Sequence, residues 1–117
     1  MNCKVTDSSF LKGCKIILLK GRFDASVVEE VEAFLLDLIA KNQLPFILDM
    51  SLVSYIGSSG IRVLLSLNSE LKAKNQKYAL INLPSSGRKI IQAMEIEKLF
   101  NIFPSEKEAA VFLSPKA

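Results

Sequence analysis

A short apolar run in the middle of the chain constrains the fold more than any other feature. Residues 46–50 read FILDM and directly follow Pro45, which opens the run. Because successive strand side chains point to opposite faces, such a run predicts a strand that is buried on both faces. Strands of this kind lie in the centre of parallel sheets, so the rest of the chain must cover the sheet on both sides.

Strands and helices alternate along the rest of the sequence. The predicted strands are residues 3–8, 14–20, 46–50, 78–83 and 100–103. The first two form an initial hairpin, and Gly13 and Gly21 are expected to bound the second strand as breakers. A helix is expected after each later strand. This order predicts an α/β fold: one domain over residues 1–117, with a mostly parallel or mixed sheet of about five strands after the hairpin and about four helices.

The predicted helices carry start signals. They begin near Ser26, Ser59, Pro84 and Ser105. Two of these starts show a capping box, in which a Ser lies three residues before a Glu: Ser26 with Glu29, and Ser105 with Glu108. Residues 27–39 repeat apolar side chains at helical spacing, whereas residues 51–59 predict an irregular connection.

Composition excludes several classes of function. The chain contains no histidine, which excludes Ser-His and Cys-His nucleophiles and His-ligated metal sites. Its net charge of +3 is too small and too dispersed to favour a nucleic-acid partner. No apolar run reaches the ~18–20 residues of a membrane span, and Lys4 and Asp7 interrupt the region where a signal peptide would be apolar. Cys3 and Cys14 are expected as separate free thiols, so we expect a cytoplasmic protein without membrane insertion, metal or cofactor.

The segment GSSG at residues 57–60 joins the central strand to the next helix. A helix N-terminus presents unpaired N–H groups and partial positive charge, so an exposed hydroxyl there can cap the helix or carry a phosphoryl group. Capping by Ser58 or Ser59 is the ordinary explanation of such a pattern. The segment is neither a P-loop nor a GxSxG nucleophile elbow, because it lacks the Lys of the first and the spacing of the second.

The residues around this turn resemble the core motif of STAS domains, and in particular of the bacterial anti-sigma factor antagonists. The similar residues are LDMS at 48–51, Val53, Tyr55, Ile56 and SSGI at 58–61. Upstream, GRFD at residues 21–24 resembles the family's G-x-x-D turn between the second strand and the first helix. The predicted order of elements is also that of the family, so the resemblance spans nearly the whole chain.

The resemblance implies a partner switch in transcription regulation. An unmodified antagonist binds an anti-sigma factor, often a serine kinase, and thereby frees the sigma factor; phosphorylation then separates the two proteins. The family's acceptor is the first hydroxyl residue of the motif, which is Ser58 here. Many members carry Asp before the acceptor, where this chain has Gly57, so slow phosphorylation is expected. The protein is then a kinase substrate and binding module, not an enzyme.

The expected partner-binding surface surrounds Ser58. Its residues are Asp24, Gly57, Ser58, Ser59, Gly60, Ile61, Arg62 and Leu65. Asp24 is included by resemblance alone. Ile61 and Leu65 widen the apolar stripe of the second helix toward solvent, and the alternative is that neighbouring elements cover them.

Two alternative functions remain. Within the same fold, the chain can be a STAS accessory subunit of a transporter, as in bacterial phospholipid importers, where it would act as a constitutive binding module and Gly57 would have no consequence. In a different functional class, the chain can be a small enzyme or nucleotide-binding protein that binds a phosphate at the turn of residues 57–60. The absence of a P-loop Lys, of His and of an acidic metal cluster counts against this second alternative.

Overall fold

A computed structural model describes residues 1–41 and 45–115. The strands in these ranges are β1 (Asn2–Asp7), β2 (Lys15–Phe23), β3 (Phe46–Ile56), β4 (Tyr78–Ile81) and β5 (Ile102–Phe103). The helices are α1 (Val28–Lys41), α2 (Ser58–Ala73), α3 (Ser85–Ala93) and α4 (Glu106–Leu113), with one 3₁₀ turn at Glu97–Leu99. None of the helices in the described ranges has the length and apolar character needed to cross a membrane.

The five strands form one sheet in the order β1-β2-β3-β4-β5. β1 pairs antiparallel with β2, and every later pair is parallel. This arrangement confirms the predicted α/β fold with a mixed sheet after an initial hairpin. Because parallel strands end at the same edge, the connections from β2 to α1, from β3 to α2 and from β4 to α3 lie side by side there.

The two faces of the sheet bury separate apolar clusters, as the run at residues 46–50 predicts. Phe46 and Leu48 face a large cluster that also contains side chains of α1, α2 and α3. Ile47, between them, faces a smaller cluster under α4. The central strand is therefore covered on both sides, and its direction fixes where the chain emerges to begin α2.

β3 is longer than the sequence predicts. Residues 51–56 were expected to be irregular, but they continue the strand to Ile56 by pairing with the end of β2. β2 reaches Phe23 because Gly21, expected to end it, adopts a φ of +119° next to a register shift and lets the strand continue. β4 pairs with β3 only as far as Asp49, so β2 and β3 extend together beyond the rest of the sheet.

The last two strands are shorter than predicted. β4 ends at Ile81 because Asn82 adopts a φ of +58°, which breaks the extended backbone. β5 contains only two residues, preceded by the 3₁₀ turn at Glu97–Leu99 that the sequence did not suggest.

Only one of the two predicted capping boxes forms a cap. Ser105 precedes α4 and its hydroxyl accepts a hydrogen bond from the Glu108 N–H at 3.3 Å, as predicted. Ser26 does not cap α1, which begins at Val28. Its N–H and hydroxyl instead donate to a carboxylate oxygen of Asp24, so the Ser26 hydroxyl is engaged on the preceding loop.

The two cysteines are free thiols. Cys3 lies in β1 opposite Leu19, and Cys14 lies buried immediately before β2. Burial raises the pKa of the Cys14 thiol to about 11, so this thiol stays protonated at neutral pH.

Replacement of Leu35 tests the packing of α1 on the sheet. Leu35 is 1% exposed within the large cluster, so Leu35→Ala should lower the free energy of unfolding by about 2–5 kcal/mol in urea titrations. Leu36→Ala is the matched control, because Leu36 is only half-buried and belongs to neither apolar cluster. Equal losses for the two variants would contradict the assigned face of α1.

Candidate functional site

The candidate site lies at the edge of the sheet where β3 passes directly into α2. Ile56 ends the strand, Gly57 occupies the N-cap position and Ser58 is the first helical residue. The Gly57 N–H donates to the Phe23 carbonyl oxygen at 3.2 Å, which ties this turn to the end of β2. Gly57 has a φ of −97° and a ψ of −177°, an extended conformation that any residue can adopt.

The starts of α2 and α3 converge on Ile56. The Ile56 N–H donates to the hydroxyl of Ser86 in α3 at 3.1 Å. A Cβ atom at Gly60 of α2 would lie 2.6 Å from Cγ1 of Ile56, and one at Gly87 of α3 would lie 2.6 Å from its Cγ2. Both glycines are therefore needed for the two helices to close against the same buried side chain.

Ser58 is exposed, and neither it nor Ser59 caps α2. The cap residue is Gly57, which has no side chain to accept a hydrogen bond from the helix. The Ser58 hydroxyl makes no hydrogen bond with another residue of the described ranges. The capping explanation of the two serines is thus wrong, and Ser58 stands exposed at the start of α2.

The N-terminus of α2 is electrostatically uncompensated. The first helical hydrogen bond runs from the Ile61 N–H to the Gly57 carbonyl oxygen, so the three preceding N–H groups lack an acceptor within the helix. No acidic side chain lies in the first turn. The partial positive charge of the helix end is therefore available to a negative group placed on Ser58.

The loop after β2 borders this turn and carries Asp24. One Asp24 carboxylate oxygen accepts from the Ser26 hydroxyl at 2.5 Å and from its N–H at 3.0 Å, while the other lies 3.4 Å from Nε of Arg22. The two hydrogen bonds from Ser26 hold the pKa of Asp24 below its ordinary value, so Asp24 is an anion at neutral pH. Because Phe23 bonds to Gly57, the backbone of this loop lies next to the turn that carries Ser58, while the carboxylate is held by Ser26 and Arg22.

Tyr55 and Arg22 complete the rim of the site and were missed by the sequence analysis. The Arg22 guanidinium lies 4.5 Å from the centre of the Tyr55 ring, in a cation–π contact. A Cβ on Gly57 would lie 3.1 Å from the Tyr55 hydroxyl oxygen, so the phenol folds over the glycine. Only the unexpected extension of β2 and β3 brings these side chains together, and no spacing in the sequence signals it.

The structure separates the predicted partner-binding residues into two groups. Ser58 and Arg62 are exposed, and Asp24, Ser59 and Leu65 are half-buried, so these five can reach another protein. Gly57, Gly60 and Ile61 are buried. The prediction that Ile61 faces a partner is wrong: it is 0% exposed and lies in the large cluster, so neighbouring elements cover it.

The chemistry available at this site is that of a free hydroxyl beside a positive helix end and a carboxylate. In residues 1–41 and 45–115, no group of three or more Cys, Asp or Glu side chains is arranged to hold a metal ion. The hydroxyl can accept a phosphoryl group from an external kinase, or it can hydrogen-bond to a docked protein. The hydrogen bonds from Ser26 keep the pKa of Asp24 below its ordinary value, so this carboxylate is a poor proton acceptor near neutral pH.

Comparisons with known proteins support a common fold and family. The family model for the STAS domain matches residues 7–109. The anti-sigma-F factor antagonist RsfB of Mycobacterium tuberculosis is 25% identical over 97 residues, which cover 83% of this chain and 79% of RsfB. A crystal structure of an anti-sigma factor antagonist from Mycobacterium paratuberculosis has a TM-score of 0.82 at 19% identity, over 96% of this chain and 92% of that one. Bacillus SpoIIAA in its phosphorylated form has a TM-score of 0.68 at 21% identity, over 95% and 97% of the two chains.

Substitution of Gly60 tests the packing at Ile56. A Cβ at Gly60 would also lie 2.9 Å from the Phe23 carbonyl oxygen, which is held by the sheet and cannot retreat. Gly60→Ala should therefore lower the free energy of unfolding by about 1–3 kcal/mol in denaturant titrations. Gly57→Ala is the control and should change it by less than about 0.5 kcal/mol, since its only close neighbour is the exposed Tyr55 ring. A larger loss for Gly57→Ala than for Gly60→Ala would contradict this packing.

Proposed function

Because the chain belongs to the STAS domain family, we propose that it acts as an anti-sigma factor antagonist that phosphorylation of Ser58 switches off. The observation that carries this proposal is the exposed Ser58 hydroxyl, which starts α2 without capping it. Two relatives support it: RsfB is named as an anti-sigma-F factor antagonist, and SpoIIAA is described in a phosphorylated form. The partner is an anti-sigma factor with serine kinase activity, in the bacterial cytoplasm.

The unmodified chain binds this partner through the exposed residues around Ser58. Arg62 lies one helical turn beyond Ser58 on the same side of α2, and Leu65 follows as a half-buried apolar contact. Asp24 and Ser59 border them from the sheet edge and from the helix start. The surface thus offers hydroxyls, one cation and one anion around a small apolar area, a composition suited to reversible docking.

Phosphorylation changes this surface without disturbing the fold beneath it. A phosphoserine adds a charge of about −1.5 to −2, which a docked surface must desolvate or repel. The uncompensated start of α2 accommodates the same charge within the chain and stabilises it by about 0.3–1 kcal/mol. The buried residues of this segment, Gly60 and Ile61, remain in place because the phosphate lies on the exposed side.

This account gives the chain the roles of kinase substrate and binding module, and the chemistry of phosphoryl transfer belongs to the partner. The kinase must approach a hydroxyl that has Gly57 on one side, where many relatives carry Asp. Gly57 supplies neither charge nor hydrogen-bond acceptor to the kinase, so the transfer is slow. Its extended backbone imposes no requirement for glycine.

Ser58 variants test the switch directly. Ser58→Asp should bind the cognate anti-sigma factor much more weakly than wild type, because it adds a negative charge to the contact surface. Ser58→Ala should bind but resist inactivation, and Ser59→Ala is the matched control that remains phosphorylatable. The measurement is peptide-mapping mass spectrometry after incubation with kinase and ATP. Phosphate on Ser59, or no phosphate on any serine with a kinase proven active, would contradict the proposed switch. Capture of a transporter ATPase instead of an anti-sigma factor would favour the function of accessory subunit.

Gly57→Asp should raise the rate of Ser58 phosphorylation. The extended backbone at residue 57 accepts a side chain once the Tyr55 ring shifts by a few tenths of an ångström, and Asp is a favoured N-cap, so the variant should remain folded. The rate is followed by intact-mass spectrometry under single-turnover conditions, with Gly57→Asn as the matched uncharged control. An unchanged or lower rate for the Asp variant would show that Gly57 does not limit the transfer.

A further inference from the structure

The sheet face that carries α4 is covered over only part of its length. The smaller apolar cluster under α4 contains Ile16 of β2, Ile47 of β3 and Ala79 of β4, all near the start of the parallel strands. Further along, Leu18, Lys20 and Leu52 belong to neither cluster. The part of the sheet formed by the extension of β2 and β3 is therefore exposed to solvent on this face, because α4 does not cover it.

The strand register defines this open face. In-register neighbours point to the same side, and Leu18 lies between Lys4 of β1 and Asp49 of β3. In the next row Lys20 lies between Asn2 and Leu52. We call the surface formed by Lys4, Leu18, Lys20, Leu52 and Tyr55 the open face; Tyr55, paired with Arg22, forms its upper border.

The open face combines apolar area with unpaired positive charge. Leu52 is 48% exposed and Tyr55 is 36% exposed, although both lie in a regular strand. Lys4 and Lys20 are exposed and form no ion pair with any residue of the described ranges. The Asp49 carboxylate lies on the other side of Leu18 in the same row, where the Ser51 N–H and the Asn82 amide both donate to one of its oxygens. The unpaired positive charge of the face is therefore confined to its β1–β2 side.

We propose that the open face docks an acidic, amphipathic helix of a second protein. The face runs about four residues along the strands, about 13 Å, and spans three strands, about 10 Å between the outer two. A single helix has a diameter of about 10–12 Å and covers that length in about two to three turns. Leucine-type side chains of the helix cover Leu18 and Leu52, and its flanking carboxylates meet Lys4 and Lys20.

Two other occupants fit the face less well. A second copy of this chain docked face to face would bring together two faces that each carry Lys4 and Lys20 against the single carboxylate of Asp49, and this equal net positive charge is unfavourable. Nucleic acid would find two unpaired cations, Lys4 and Lys20, on this face, whereas phosphate recognition needs a larger cluster of positive charge. Most of the open face lies on the opposite side of the sheet from α2, and it shares only its border residue Tyr55 with the rim of the Ser58 site, so the test below reads Leu18, Lys20 and Leu52.

A pair of helical peptides tests the proposal on the intact chain. Both are stapled helices of about 15 residues with one leucine stripe, and the remaining positions carry Glu in one peptide and Lys in the other. Two-dimensional ¹H–¹⁵N NMR spectra should show saturable shifts at Leu18, Lys20 and Leu52 with the Glu peptide and none with the Lys peptide. Lys20→Glu should raise the dissociation constant at least about fivefold, whereas the control Lys107→Glu, on α4, should leave it unchanged.

Several outcomes would overturn the proposal. They are equal binding of both peptides, shifts confined to the exposed α4 residues Val111 and Phe112, or no saturable shift up to about 1 mM peptide. Concentration-dependent shifts of the same residues without peptide would assign the face to a second copy of the chain. The spectra also report whether each variant is folded, so a folding defect is not mistaken for lost binding.

Discussion

The packing of Ile56 holds the functional end of the molecule together. Its side chain is enclosed by the first turns of α2 and α3, and its N–H is taken by the Ser86 hydroxyl. β4 pairs with β3 only as far as Asp49 and does not reach Ile56. At Ile56 the start of α3 supplies the hydrogen-bond partner that a neighbouring strand would otherwise provide. The two glycines that face Ile56 allow this closeness, because a Cβ at either position would overlap its methyl or methylene carbons.

The packing on Ile56 determines which side chains at the start of α2 are buried and which are exposed. Every third or fourth residue of the helix turns inward: Gly60 packs on Ile56, and Ile61 lies in the large cluster. Ser58 and Arg62 then lie on the outside, where a partner can meet them. The hydroxyl is left free because Gly57 takes the cap position without a capping side chain.

Much of the fold could be predicted from local pattern. The run at residues 46–50 indicated a strand buried on both faces, and helical periodicity located α1, because burial on a regular element leaves a regular imprint in the sequence. Features that depend on contacts between distant parts of the chain produce no such pattern in the sequence. Gly21 looks like a strand breaker but takes a positive φ inside β2, and Ser26 looks like a cap but is held by Asp24.

The candidate site shows the same division. The local pattern placed an exposed hydroxyl at this strand–helix junction, and the resemblance to STAS domains singled out Ser58 as the acceptor. The burial of Ile61 could not be predicted, since it depends on how elements distant in the sequence pack around α2. The Arg22–Tyr55 contact could not be predicted either, because it requires the register shifts between β2 and β3.

The affinity of the Ser58-phosphorylated chain for its anti-sigma factor tests the central claim most directly. Site-specific incorporation of phosphoserine at residue 58 avoids any dependence on the kinase, and calorimetry compares the modified chain with the unmodified one. The account predicts that affinity falls by at least about 100-fold while the thermal midpoint of the free chain stays nearly unchanged, because charge is added to a surface and not to the core. Equal affinities, or a loss of affinity accompanied by unfolding of the chain, would contradict it.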